Sequence, residues 1–91
     1  MSDRVGIVDV WPHPVRGGSA LVTYALFRAG TVVLLLYDVL GRRVQRVLAG
    51  FRGAGRYRAQ LDVSEFPTGV YLLRLVVDGQ VLDDRPLVVL R

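Results

Sequence analysis

Turn-forming residues recur along this chain too often to leave room for helices. Pro12-His13-Pro14, Gly17-Gly18, Ala29-Gly30, residues 38–41, residues 50–55, Pro67-Thr68-Gly69 and Asp78-Gly79 cut it into short pieces. Breaks at intervals of roughly 8–12 residues suit strands joined by turns. Between them lie segments rich in Val, Leu and Tyr, at 5–11, 20–27, 31–39, 43–48, 56–62, 70–77 and 81–90. Seven short strands in 91 residues are the pattern of an all-β, immunoglobulin-like antiparallel β-sandwich, here a single domain over residues 1–91.

Strand side chains alternate between faces, so the pattern within each segment assigns its core side. Tyr57, Ala59 and Leu61 alternate with Arg56, Arg58 and Gln60 and are expected inward; Val22, Tyr24 and Leu26 form the core set of the second segment. The third segment breaks the rule, because residues 32–36 are apolar on both faces. Either it is a central strand covered on both sides, or its outer face expects a partner.

The turns have local causes. Asp78-Gly79 between Val77 and Gln80 predicts a two-residue hairpin, since Asp and Gly adopt positive φ at low cost. Asp38 and Gly41 open and close the turn between the third and fourth segments, with Asp38 able to accept from turn amides. Pro12 and Pro14 fix the first turn. Pro86 lies inside the last segment and has no N–H to donate, which places that strand at an edge or a bulge.

Composition removes several functions. With 52% hydrophobic residues and no Cys, packing alone must carry the fold. The longest apolar run, residues 32–37, is far short of the roughly 18–20 needed to cross a bilayer as a helix. Met1-Ser2-Asp3-Arg4 lacks the features of a secretory leader, which fits a cytoplasmic protein or a piece of a longer precursor. The net charge is +4, and all 12 basic residues are Arg. Their densest groups, Arg42, Arg43 and Arg46, then Arg52, Arg56 and Arg58, read as a solvated basic face, and nucleic acid is not expected as a partner.

Reactive groups do not converge. His13, between two prolines, reads as a loop residue and not as a ligand; zinc would need three or four ligands, for which no spacing exists. Asp78, Asp83 and Asp84 lack the alternating oxygen ligands of a calcium loop. Ser19 and Ser64 have no recognisable base, and residues 50–55 do not match a phosphate cradle. No catalytic residue, metal or cofactor is expected.

Several motifs occur in a distinctive order: Trp11-Pro12-His13-Pro14, Val22-Thr23-Tyr24-Ala25-Leu26, Leu36-Tyr37-Asp38-Val39-Leu40-Gly41-Arg42, Gly55-Arg56-Tyr57, Leu61-Asp62, Gly69-Val70-Tyr71-Leu72-Leu73-Arg74-Leu75 and the closing Arg85-Pro86-Leu87-Val88-Val89-Leu90-Arg91. Together they resemble the C-terminal sorting domain of proteins exported by the type IX secretion system of Bacteroidota and their relatives. The chain departs from that pattern at His13, Gly17-Gly18 and Pro86.

The resemblance implies a non-catalytic C-terminal module that follows an upstream cargo domain. Its implied partners are the outer-membrane type IX translocon and processing proteins, and its implied location is secreted or cell-surface, by way of the periplasm. On this reading the final hairpin, residues 70–91, docks by strand addition, with Gly69, Tyr71, Arg85, Leu87, Val89 and Arg91 as the recognition set and Arg85 and Arg91 orienting it. The same residues also admit structural roles, with Gly41, Gly69 and Gly79 shaping turns, Tyr71 in the core and Arg74 solvated. For Arg91, function and solubility stand level. The pattern is shared with the immunoglobulin-like domain of the flagellar hook-capping protein, so a structural or self-assembling module, associating through Val33 and Leu35, is the alternative.

Overall fold

The computed structural model describes residues 5–91; residues 1–4, on which the leader reading fell, lie outside the described residues. The strands are β1 (Gly6–Trp11), β2 (Ser19–Leu26), β3 (Gly30–Tyr37), β4 (Arg43–Arg52), β5 (Gly55–Asp62), β6 (Gly69–Val77) and β7 (Gln80–Val89), and no helix occurs among the described residues. They form two antiparallel sheets, ordered β1-β2-β5 and β4-β3-β6-β7. The expected sandwich is the observed one. Only β4 differs much from its expected span: it runs on from Leu48 to Arg52, because Ala49 and Gly50 still pair with Val33 and Val32. Pairing overrides the weak strand preference of that Ala-Gly step.

The sheets meet through inward side chains. Val22, Tyr24, Val32, Leu34, Leu36, Leu61, Leu73, Leu75 and Leu87 are buried in one continuous cluster, and among the described residues no charged side chain is buried. β3 lies between β4 and β6 in its sheet, so both of its edges are paired while one of its faces is turned away from the other sheet. Val32, Leu34 and Leu36 face the core. Leu35, on the other face, is only 7% exposed within a single chain. Its cross-strand neighbours are Arg46 and Arg74, long side chains whose aliphatic stems are able to cover apolar surface. Little of Leu35 remains for a second copy to bury. The β3–β4 register slips on either side of the Leu35 and Leu36 pairs, and Gln45, opposite Leu36, has its Oε1 buried without a hydrogen-bond partner.

Four strands are sheet edges, and they are finished differently. The register of β1 slips between Ile7 and Asp9, β4 slips twice against β3, and β7 slips opposite Leu75 and Val76. Such bulges spoil an edge as a template for further strands. By contrast, β5 runs against β2 without a slip from Gly55 to Asp62.

On one side of the sandwich the edges β1 and β7 are stitched together. Ile7 N donates to Asp83 Oδ2 at 2.8 Å, and Arg85 Nη2 donates to Ile7 O at 3.1 Å. Gly6 makes this contact possible. Its φ is +95°, and a Cβ there would fall 2.6 Å from Asp83 Oδ2. Gly17, with φ +74°, has nothing within 4 Å of such a Cβ. Both replacements by Ala carry backbone strain, but only Gly6→Ala also disrupts the stitch. Urea unfolding should find Gly6→Ala destabilised by about 2–4 kcal/mol and Gly17→Ala by only about 1 kcal/mol; equal losses would mean that the Asp83 contact contributes nothing.

Candidate functional site

At one end of the sandwich the β3–β4 turn, the segment between β5 and β6, and the last two residues converge. Asp38 organises the turn. Its Oδ1 accepts from Leu40 N at 2.9 Å and Arg42 N at 3.0 Å, its Oδ2 accepts from Arg42 Nε at 2.8 Å, and Gly41 N donates to Asp38 O at 3.0 Å. With Gly41 at φ +80° the loop closes tightly and pushes two aliphatic side chains outward. Val39 is 74% exposed and Leu40 72%. Beside them Val70 is half exposed, and Val39 and Val70 both line two adjoining shallow grooves that also include Asp38 and Tyr71.

The recognition set divides into buried and accessible members. Leu87 and Val89 lie in the core, as does Tyr71, so these three side chains serve packing and are not displayed. Tyr71 O–H donates to Pro67 O at 2.7 Å, four residues upstream, and its ring stacks on Phe66 with centroids 5.8 Å apart. This is the tyrosine-corner arrangement of immunoglobulin-like sandwiches, set near the start of β6. Tyr57 repeats it at the start of β5, donating to Gly53 O at 2.9 Å. Gly69, half-buried, opens β6 beside the Tyr71 ring.

Arg85 is half-buried in the β1–β7 stitch. Arg91 is exposed yet tied down: its N donates to Thr68 Oγ1 at 2.8 Å, and its Nη1 donates to Ser64 O and to Phe66 O. It therefore caps the β5–β6 connection, a role that sequence reasoning missed because the contact spans more than twenty residues. Arg74, expected to be solvated, is partly covered instead. It binds Asp84 through two hydrogen bonds, of 2.8 and 3.0 Å, and lies over the Tyr37 ring at 5.2 Å.

The outward edge of the final strand is also occupied near its C-terminal end. Val15 N donates to Val88 O at 2.8 Å and Leu90 N donates to Val15 O at 2.9 Å, while Val88 N donates to His13 Nε2 at 3.1 Å. His13 is thus an edge cap, more than the plain loop residue expected. Pro86 sits on this edge strand opposite Leu72. Strand addition onto the final hairpin would have to displace these bonds.

The other turn residues lie where the chain reverses. The peptide bonds before Pro12 and Pro14 are cis, and Asp78 and Gly79 have φ of 51° and 80° between the paired Val77 and Gln80. The three carboxylates considered for calcium are each engaged elsewhere: Asp78 accepts from Thr31 N, Asp83 from Ile7 N and Asp84 from Arg74.

A family model described as a secretion system C-terminal sorting domain matches residues 9–88. Among solved structures, an immunoglobulin-like protein from Pseudomonas aeruginosa superposes with a TM-score of 0.56 at 15% identity, over 85% of this chain and 75% of that one. The Pseudomonas fluorescens alkylpurine DNA glycosylase AlkC bound to abasic-site DNA gives a TM-score of 0.48 at 15% identity, over 90% of this chain and 29% of that one. No curated protein sequence matches the chain.

The turns also set the protein's response to acid. The Arg42 backbone N–H holds the Asp38 carboxyl below its ordinary range, the Ser64 N–H does so for Asp62, and the Arg74 guanidinium for Asp84. Burial pushes the Tyr24 hydroxyl up, with Arg52 nearby acting in the opposite direction. For the carboxylates the folded state binds protons less readily than the unfolded one, so their contribution is complete above the ordinary value of 3.8. It fades as pH falls through the lower folded-state values. Urea midpoints should therefore be flat near neutrality and drop in acid, with a shallower drop for Asp38→Asn; an unchanged slope in that variant would remove Asp38 from the account. Tyr71→Phe should lose about 1 kcal/mol, the worth of its corner hydrogen bond, at any pH in this range.

Proposed function

Because the chain belongs to the family of type IX secretion C-terminal sorting domains, we propose that it is a non-catalytic sorting and anchoring signal. It directs the polypeptide that carries it from the periplasm through the outer-membrane translocon to the cell surface or the medium. The family match over residues 9–88 carries this reading, since it covers the strands and turns of nearly the whole sandwich and not a single motif.

The shape of the molecule supports it. β1 begins beside Asp83, near the turn between β6 and β7, whereas Arg91 lies at the other end with Ser64 and Phe66. A polypeptide joined ahead of β1 emerges at the first end and leaves the second clear. We place translocon recognition at that second end, on Val39, Leu40 and Val70, with Arg91 and Gly69 at its border. Arg85 supports the hairpin from the stitched side. Tyr71, Leu87 and Val89 contribute by holding the end in shape. A rigid turn that displays two adjacent aliphatic side chains to water is otherwise a solubility cost.

The test is a reporter fused ahead of Met1 and expressed in a host with a working type IX system. The intact fusion should reach the surface or medium and be retained when the translocon is deleted; retention of the folded intact fusion in the working host rejects the sorting reading. A Val39→Ser, Leu40→Ser fusion should stay folded and be retained. Normal delivery of that variant would leave sorting intact and move the recognition surface elsewhere. Removal of residues 87–91 is a poorer test, because it takes Leu87 and Val89 out of the core.

A further inference from the structure

The basic residues are less evenly spread in space than along the chain. Arg42, Arg43, Arg46, Arg52, Arg56 and Arg58 are half of the 12 arginines, and no Asp or Glu occurs between Asp38 and Asp62. Except for Arg42, which is bound to Asp38, they lie on β4 and β5, the neighbouring edges on the side opposite the β1–β7 stitch.

Of these two edges β5 alone is an undamaged template. Its eight residues pair with β2 without a slip. Among the described residues, the backbone hydrogen bonds of β5 all go to β2, so its outward N–H and C=O groups have no protein partner. Arg56, Arg58 and Gln60 alternate on its outer face, which ends at Asp62, itself accepting from Ser64 N. On the inner face Tyr57 and Ala59 are only partly buried, as are Val44, Val47 and Leu48 across the gap on β4.

We infer that β5 binds an extended acidic polypeptide segment as an added antiparallel strand of the β1-β2-β5 sheet. Backbone groups at strand spacing are satisfied in a regular way only by another strand. Acidic side chains at alternate positions would face Arg56 and Arg58 as cross-strand pairs, and the apolar residues between them would cover the half-open strip. Charge complementarity also favours such a segment over a second copy of this chain. Antiparallel β5–β5 pairing centred on Arg58 would set Arg58 against Arg58, and centred on Ala59 it would pair Arg56 with Asp62 but leave Arg58 opposite Gln60, whereas an acidic strand answers both arginines.

The inference does not rest on the sorting reading, and its test uses the whole chain without a secretion system. The ¹⁵N-labelled protein is titrated with a peptide alternating Glu and Val and matching β5 in length. Controls are the Lys-Val counterpart, a scrambled Glu-Val peptide and a single-stranded oligonucleotide. Saturable binding with new amide-exchange protection confined to β5 is expected, weaker by about tenfold in Arg56→Glu, Arg58→Glu, with that variant now preferring the Lys-Val peptide. Arg58→Gln, which keeps a hydrogen-bonding head, should lose less. Absence of saturable binding, protection on β1, β4 or β7, or equal binding of the oligonucleotide or the scrambled peptide would overturn it.

Discussion

The two sheets are held together by apolar contact and by nothing else of comparable strength. There is no Cys to link β2 to β6 across the layers, and among the described residues no charged side chain is buried between them. Nearly every inward position of β2, β3 and β6 is therefore Val, Leu or Tyr, and full burial of each is worth about 1.5–3 kcal/mol. Tyr24 and Tyr57 extend the layer by stacking at 5.5 Å, and the Tyr57 hydroxyl reaches out to Gly53 O. Everything displayed outside depends on this slab staying closed. The tyrosine corner at Tyr71 serves that purpose by fastening a core side chain to the loop before its own strand.

A thin sandwich has two open sides, and this one treats them differently. Between β1 and β7 side chains bond to the backbone of the opposing edge, so Asp83, Arg85 and His13 complete hydrogen bonds that a missing strand would have made. Val15 adds a short parallel bridge at Val89. Between β4 and β5 no such stitch exists among the described residues, and protection comes from two slips in β4 and from arginine. One side is sealed by geometry and the other is guarded by charge.

Local chemistry is what the sequence made legible. The strands were readable because Gly, Pro and Asp punctuate a period-two pattern, and the Asp78-Gly79 and residues 38–41 turns because φ > 0 and side-chain acceptors are properties of a few residues. Sheet order was not readable, since no local feature says that β5 joins β2 and not β4. The recognition residues suffered from the same gap. Leu87 and Val89 look like a displayed apolar tail until β7 is seen against β6, and Arg91 looks like a free charge until the loop at Ser64 is brought beneath it. Conversely, Asp38 and Gly41 define their turn without assigning Val39 and Leu40 any role, although two aliphatic residues at the tip of an Asp-to-Gly turn are already visible in the sequence.

The arginines show how one set of residues meets two demands. An edge strand exposed to its own copies needs some penalty against self-pairing, and in the register that sets Arg58 against Arg58 like charge supplies one without a bulge. A bulge would spoil the edge for every partner alike. Charge spoils it only for partners of the same sign, and it leaves the backbone groups of β5 in regular spacing. The absence of Lys sharpens this selectivity, because the planar guanidinium of Arg binds a carboxylate through two parallel hydrogen bonds, as Arg74 does with Asp84 on the other sheet. An edge kept regular and armed in this way disfavours the register that sets Arg58 against its own copy while remaining able to accept an acidic strand.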